Sequence, residues 1–128
     1  MALRDQLKVL VVDDMATSRG LILNALDSFG ITNVEYADNG LTAMHQLKAS
    51  PAHLVISDYN MPEMDGLRLL QHIRHDPTTR GTGFILITGK ADAQIVGTGK
   101  QLGMNNFLKK PFTPVEMRDC IEAVVGKL

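Results

Sequence analysis

The sequence predicts a three-layer α/β domain, a doubly wound parallel sheet covered by helices on both faces. Three observations predict it. Short apolar runs alternate five times with longer stretches of helical periodicity. The first run, Val9-Leu10-Val11-Val12, is continuous rather than alternating, the pattern of a strand buried on both faces. No two-residue hairpin turn separates the runs, so they are joined by crossovers of helical length, which require parallel pairing and right-handed connections.

Each element follows from its residues. Val9 to Val12 is the first strand, closed by Asp13-Asp14. From Thr17 to Phe29, Leu21, Ile22, Ala25, Leu26 and Phe29 recur at helical spacing, and Gly30 stops that helix. Asn33 to Ala37 is a second, weaker strand. Asp38-Asn39-Gly40 is turn chemistry in which either Asp38 or Asn39 caps the next helix. Leu41, Met44 and Leu47 give that helix its apolar stripe, and Ser50-Pro51 ends it. His53 to Ser57 is a third strand ending in Asp58. The loop Tyr59 to Met64 leads through Asp65-Gly66 into a helix carrying Leu67, Leu70 and Ile73. Phe84 to Ile87 is the fourth strand, ending at Thr88-Gly89, and Ala91 to Leu102 a fourth helix. Asn106 to Leu108 is the fifth strand, ending at Lys109-Lys110-Pro111. Thr113 caps the last helix, with Pro114 first, Glu116 third, and Val115, Ile121, Val124 and Val125 as apolar contacts.

Composition sets the bounds. The 128 residues predict one domain, 1–128, able to sustain its own core. Net charge is -1, so no basic surplus speaks for nucleic acid or an anionic membrane. One cysteine, Cys120, makes no internal disulfide, which points to a reducing, cytoplasmic home. The N-terminus has no signal-peptide core, and no apolar run approaches the roughly 20 residues that span a bilayer.

In a parallel sheet all strand carboxyl ends share one edge, where ligands bind. The first strand delivers Asp13 and Asp14 there, the third Asp58, the fourth Thr88 and Gly89, and the fifth Lys110. Singly, each acid is an ordinary strand end or cap, Thr88 an ordinary strand residue and Lys110 a surface lysine. Together, delivered to one edge by four strands, they read as a place where a phosphoryl group meets a carboxylate. Crowded carboxylates resist ionisation unless a cation joins them, and all-oxygen donors with an open face suit Mg²⁺. Lys110 and the Thr88 hydroxyl are donors suited to phosphate oxygens.

Along its whole length the sequence resembles the receiver domain of bacterial two-component response regulators. The match is carried by VLVVDD (Val9 to Asp14), VISDYNMPEMDG (Val55 to Gly66), Thr88-Gly89 and Lys110-Pro111-Phe112, in this order and spacing. Within the family it is most similar to the single-domain chemotaxis regulators, because nothing follows the fifth helix and Asn60 sits two residues after Asp58. The resemblance implies a flavodoxin-like (βα)5 fold with strand order 2-1-3-4-5. It implies that Asp58 accepts a phosphoryl group from a histidine kinase. Mg²⁺ would be bound by Asp14, Asp58 and the Asn60 backbone carbonyl, with Asp13 acting through water. Lys110 would contact the acceptor and then the phosphate. Thr88 would swing toward the phosphate and Phe107 move inward behind it, while Gly89 leaves room for the incoming donor. The output would be a protein-binding surface of the fourth helix, fifth strand and fifth helix, aimed at the flagellar motor switch protein. A phosphatase is a further partner, and the chain is expected to be a monomer. It would be no enzyme beyond catalysing its own phosphorylation and dephosphorylation. Two departures stand out. Phe107 replaces the Tyr of the best-known chemotaxis regulators, and Lys90 stands where an acid is common, which bears on phosphate lifetime.

Other readings compete. A phosphate sink draining the kinase would use the same residues. A Mg²⁺-dependent phosphatase working through an aspartyl intermediate usually has Asp-x-Asp, whereas Asp13 and Asp14 are adjacent. A flavin-binding domain of this fold needs an uncharged phosphate loop, where Asp13 and Asp14 would repel the phosphate. His72 and His75, three apart on one helix, read as a solvated face rather than metal ligands. Cys120 reads as a partly buried, unreactive thiol. Gly97 and Gly99 mark either a weak, rearranging helix or close packing, and the residues alone favour neither.

Overall fold

Period-two alternation along the strands sorts the apolar residues onto two faces of one sheet. The computed structural model describes residues 2–89 and 93–128. Its strands β1 (Val9–Val12), β2 (Val34–Ala37), β3 (Leu54–Asp58), β4 (Gly83–Thr88) and β5 (Asn106–Lys109) lie in the order β2-β1-β3-β4-β5, every neighbouring pair parallel. The helices are α1 (Leu3–Gln6), α2 (Ala16–Ser28), α3 (Gly40–Ala49), α4 (Gly66–His75), α5 (Ala93–Leu102) and α6 (Pro114–Val125).

Val9, Val11, Leu54, Ile56, Ile85, Ile87 and Leu108 pack against Ile22, Ala25 and Leu26 of α2 and Met117, Cys120 and Ile121 of α6. Leu10, Val12, Val55, Phe84 and Leu86 pack on the opposite face against Ala43 and Leu47 of α3 and Leu69, Leu70 and Ile73 of α4. Ile95, Val96 and Leu102 of α5 lean on that second cluster. Every residue of β1 and β3 is buried, as continuous apolar runs require. The parallel doubly wound fold and its strand order are those the sequence led us to expect.

The departures have local causes. A single helical turn, α1, precedes β1; four residues are too few to show periodicity. Leu21, 61% exposed, lies off the stripe it was assigned to. The buried positions of α2 are Ile22, Ala25 and Leu26, and Leu21 stands one residue, about 100° of helix, to the side. Leu41 is displaced in the same way from the buried Gly40, Ala43 and Leu47 of α3. In α4 Leu69 is fully buried and Leu67 only partly so, and in α6 Val115 is exposed ahead of Met117, Cys120 and Ile121. The predicted start of the fourth helix at Ala91 falls outside the described residues; the described part of α5 runs from Ala93.

Capping resolves the open choices. Asn39, not Asp38, caps α3 by accepting from the Thr42 N–H at 2.7 Å. Asp65 caps α4 by accepting from the Arg68 N–H. Thr113 and Glu116 form a reciprocal capping box with Pro114 first in α6. Gly30 ends the α2 segment at φ 88, in the left-handed region.

One cation ties the lower part of the second face together. Arg74, in the last turn of α4, donates from Nε and Nη2 to the Gly103 carbonyl and from Nη1 to those of Arg80 and Thr82. Its Nη2 also donates to Asn105 Oδ1. Asn105 Oδ1 in turn accepts from the Phe84 N–H at the start of β4. Burial holds the Arg74 pKa below its ordinary value, although the charge stays on the guanidinium.

The two glycines of α5 part company. A Cβ on Gly99 would run into the Sδ and Cε of Met104, a buried member of the second cluster. A Cβ on Gly97 would meet nothing within 4 Å among the described residues. Gly99 is thus a packing residue, whereas Gly97 only weakens its helix. Gly97→Ala should raise stability by about 0.5–1 kcal/mol. Gly99→Ala should gain less or lose, because Met104 must move. Urea unfolding of both variants beside the parent checks this, and a larger gain at Gly99 would contradict it.

Candidate functional site

Register assembles the site. Val12 pairs with Ser57 and Asp58 with Ile87, so Asp13 emerges beside Asp58 and Thr88 one step beyond it on the next strand. Thr88 pairs with Lys109, and its carbonyl accepts from the Lys110 N–H at 2.9 Å. Four strand ends therefore bring Asp13, Asp14, Asp58, Thr88 and Lys110 to one edge.

The three acids are close. Asp13, Asp14 and Asp58 each offer a carboxylate oxygen, and these oxygens lie within 4.8 Å of one another. Asp13 is 0% exposed, Asp58 is buried and Asp14 is half-buried. Asp13 Oδ1 accepts from the Met15 N–H at 3.0 Å and so serves the start of α2. Asp13 Oδ2 and Asp14 Oδ1 are buried without a hydrogen-bond partner among the described residues. Orphaned buried carboxylate oxygens are costly, and a hard divalent cation satisfies them. The donor set, all oxygen with no imidazole or thiolate, fits Mg²⁺.

Lys110 is the counter-charge. Its Nζ lies 3.1 Å from Asp58 Oδ1 and donates to Ser18 Oγ at 2.9 Å. Burial pushes the Asp58 carboxyl above its ordinary pKa and the Asp13 carboxylate adds to the rise, against the pull of Lys110. Thr88 is buried at the end of β4. Phe107, opposite Leu86 on β5, is half-buried and packs against the second cluster. Gly89 is exposed, and a Cβ there would meet nothing within 4 Å among the described residues. Lys90 lies outside the described residues.

The loop after β3 carries Asn60, which is exposed. It folds back through the Gly66 N–H, which donates to the Tyr59 carbonyl at 2.8 Å. A Cβ on Gly66 would stand 2.5 Å from the Asp58 carbonyl oxygen and 2.7 Å from Leu86 Cδ1, so only glycine fits there. The Met64 N–H donates to the Pro62 carbonyl, closing a three-residue turn with Glu63 at φ 69, a conformation held against its own preference.

Several contributors carry no sequence signal of their own. Ser18 reads as an ordinary polar position of an amphipathic helix; only its place one turn after Asp13-Asp14 hints at this edge. Arg19 donates from Nη1 to the Asp13 carbonyl at 2.9 Å and stacks on Tyr36, 4.6 Å from the ring centre. Ser57 donates to the Asp58 carbonyl at 2.9 Å from a fully buried position. His72 and His75 are exposed, and among the described residues only the three acids form a group of three or more metal-ligating side chains. Burial pushes the Cys120 thiol up to about 11, which keeps it protonated and inert. Among the described residues no helix is long and apolar enough to cross a membrane.

The sequence model of the family described as "Response regulator receiver domain" matches residues 9–122. A probable chemotaxis protein CheY of Rhizobium etli is 44% identical over 128 residues, covering 100% of this chain and 99% of that protein. Chemotaxis protein CheY-3 of Vibrio cholerae is 34% identical, covering 98% of this chain and 97% of that protein. The solved structure of Vibrio cholerae chemotaxis protein CheY4 superposes with a TM-score of 0.86 at 29% identity, covering 92% of this chain and 98% of that one. With its acids, threonine and lysine gathered at the carboxyl edge of a β2-β1-β3-β4-β5 sheet, this chain belongs to the response regulator receiver domain family, in its CheY-type branch.

Proposed function

We propose that this chain is a phosphoryl-accepting switch of a chemotaxis two-component pathway, with Asp58 as acceptor. The observation that carries the reading is the buried Asp58 carboxylate, with Lys110 at 3.1 Å on one oxygen and, beside it, Asp13 and Asp14 oxygens that have no partner among the described residues. A carboxylate oxygen of Asp58 forms the new P–O bond while the P–N bond to a kinase phosphohistidine breaks. The electron pair leaves with the imidazole nitrogen, which takes up a proton from water. Asp14, Asp58 and the Asn60 carbonyl would hold Mg²⁺, with Asp13 acting through water, and the ion would supply charge to offset the phosphoryl oxygens. Lys110 supplies the second positive charge, and the Thr88 hydroxyl a hydrogen bond once the phosphoryl group is present.

Phosphorylation converts a carboxylate into a group of higher charge, and that change biases the surface formed by α5, β5 and α6. Phe107 carries the change by packing alone, since it has no phenolic hydroxyl. The target that best fits a CheY-type chain is the flagellar motor switch protein, with the chain acting as a cytoplasmic monomer fed by a chemotaxis histidine kinase. Titrating phosphorylated and unphosphorylated protein against motor switch protein tests the output. Tighter binding of the phosphorylated form is expected. Equal, negligible binding with rapid loss of label would instead fit a phosphate sink.

Asp58→Asn should abolish label transfer from phospho-kinase. It should also stabilise the fold at neutral pH. The folded pKa of Asp58 is raised, so its ionisation costs stability as pH rises through that value. The gain should fade below about pH 4, where the unfolded carboxyl is protonated as well. Melting curves of both proteins across pH check the sign, and undiminished labelling of Asp58→Asn would refute the acceptor.

Asp14→Ala should weaken Mg²⁺ binding by at least about tenfold, as loss of a directly ligating charge implies. Asp13→Asn should weaken it less, because Asp13 Oδ1 is already committed to Met15 and its expected contact runs through water. Calorimetric titration with MgCl₂ ranks the two variants, and the reverse order would overturn the ligand assignment.

A further inference from the structure

Lys110 has a second partner that phosphoryl transfer, as described, leaves without a role. Its ammonium lies between Asp58 Oδ1 at 3.1 Å and Ser18 Oγ at 2.9 Å. Ser18 stands in the first turn of α2, half-buried. A helical serine either faces solvent or turns its hydroxyl toward the carbonyl one turn earlier. The Ser18 oxygen instead accepts from an ammonium delivered by the far end of the chain. The two partners differ in kind. Lys110 sits on a flexible four-carbon stem. Ser18 sits on a one-carbon stem, on a helix seated on the sheet through the buried Ile22, Ala25 and Leu26.

We propose that Ser18 is a positioning residue for phosphoryl transfer, its hydroxyl holding the Lys110 ammonium at the mouth of the acceptor site. The proposal rests on Asp58 being the acceptor. An ammonium held by Asp58 alone moves with that carboxylate. When the attacking oxygen becomes the bridging oxygen of an acyl phosphate, it gives up its charge, and the lysine loses its one anchor at the moment its charge is needed on the transferred group. The Ser18 hydroxyl takes no part in the chemistry and keeps its dipole throughout. The ammonium therefore pivots about a fixed acceptor, from the carboxylate toward the phosphoryl oxygens, with little reorganisation. Ser18 acts through Lys110 and does not itself touch the reacting atoms.

The test uses the full chain, Mg²⁺ and radiolabelled acetyl phosphate. In that reaction the Asp58 carboxylate displaces acetate, one P–O bond forming as another breaks, and acetate leaves with the electron pair. Ser18→Ala should slow labelling about tenfold, the order expected for one lost hydrogen bond to a charged group. Alanine is the better helix former, so folding is not at risk. Ser18→Thr keeps the hydroxyl and should recover most of the rate. Ser18→Ala labelled at the parent rate would overturn the proposal. So would Ser18→Thr as slow as Ser18→Ala, since the loss would then be one of packing and not of the hydroxyl. A parent chain that takes up no label would overturn the acceptor reading, and the Ser18 proposal with it.

Discussion

Three carboxylates share a few ångströms at the end of the sheet, and their mutual repulsion is the constraint around which the molecule is arranged. Asp13 and Asp58 are buried, so water screens them poorly. One ammonium, Lys110, opposes them directly. Such a cluster weakens the fold, and the rest of the structure must hold it in place. Strands β1, β3 and β4, buried on both faces, supply the apolar burial that tolerates it. Strand ends are also stiff supports. Asp13 follows directly on β1 and Asp58 is the last residue of β3, so the ladder fixes their backbone and repulsion cannot relax by splaying the chain.

The site belongs to neither half of the core. Ser18 comes from the side of the sheet covered by α2 and α6, and the loop bearing Asn60 leads to the side covered by α3, α4 and α5. The two apolar clusters lie on opposite faces of the sheet. Strand β5 joins them in consecutive residues, with Phe107 on the second cluster and Leu108 on the first, two residues before Lys110. Lys110 is therefore tied to both faces through a single short strand. The packing of Gly66 against the Asp58 carbonyl fixes the other side of the site through backbone alone.

The parts legible in the sequence were those that one-dimensional order dictates. Asp13, Asp14, Asp58, Thr88 and Lys110 each follow an apolar run, and once the strands are parallel they can only meet at one edge. Gly30 and Thr113 announced a helix stop and a cap by residue type. What was illegible depends on rotation or on long-range contact. Leu21, Leu41 and Val115 are apolar residues one or two positions off a stripe, and a helical pattern tolerates such neighbours without saying which is buried. Asp38 and Asn39 are equivalent caps until backbone geometry selects Asn39. Gly97 and Gly99 look alike until Met104 is seen against one of them. Ser18 and Arg74 are polar residues on amphipathic helices, and nothing in the sequence names Lys110 as the partner of one or the Gly103 carbonyl and Asn105 as partners of the other.

Arg74 sets a limit on how this molecule can vary. A single planar guanidinium collects carbonyls from residues 80, 82 and 103 and the amide oxygen of Asn105. These acceptors belong to two different surface connections, one leaving α4 and one leaving α5. Surface loops ordinarily absorb insertions at little cost, because closing a longer loop is only slightly harder. Here both loops must arrive at the same five-donor fork with their carbonyls turned inward. An extra residue in either would withdraw acceptors from a half-buried cation whose side-chain partners, among the described residues, include no carboxylate. The lengths of the two loops are thus fixed together, and variation in chain length is directed elsewhere on the surface.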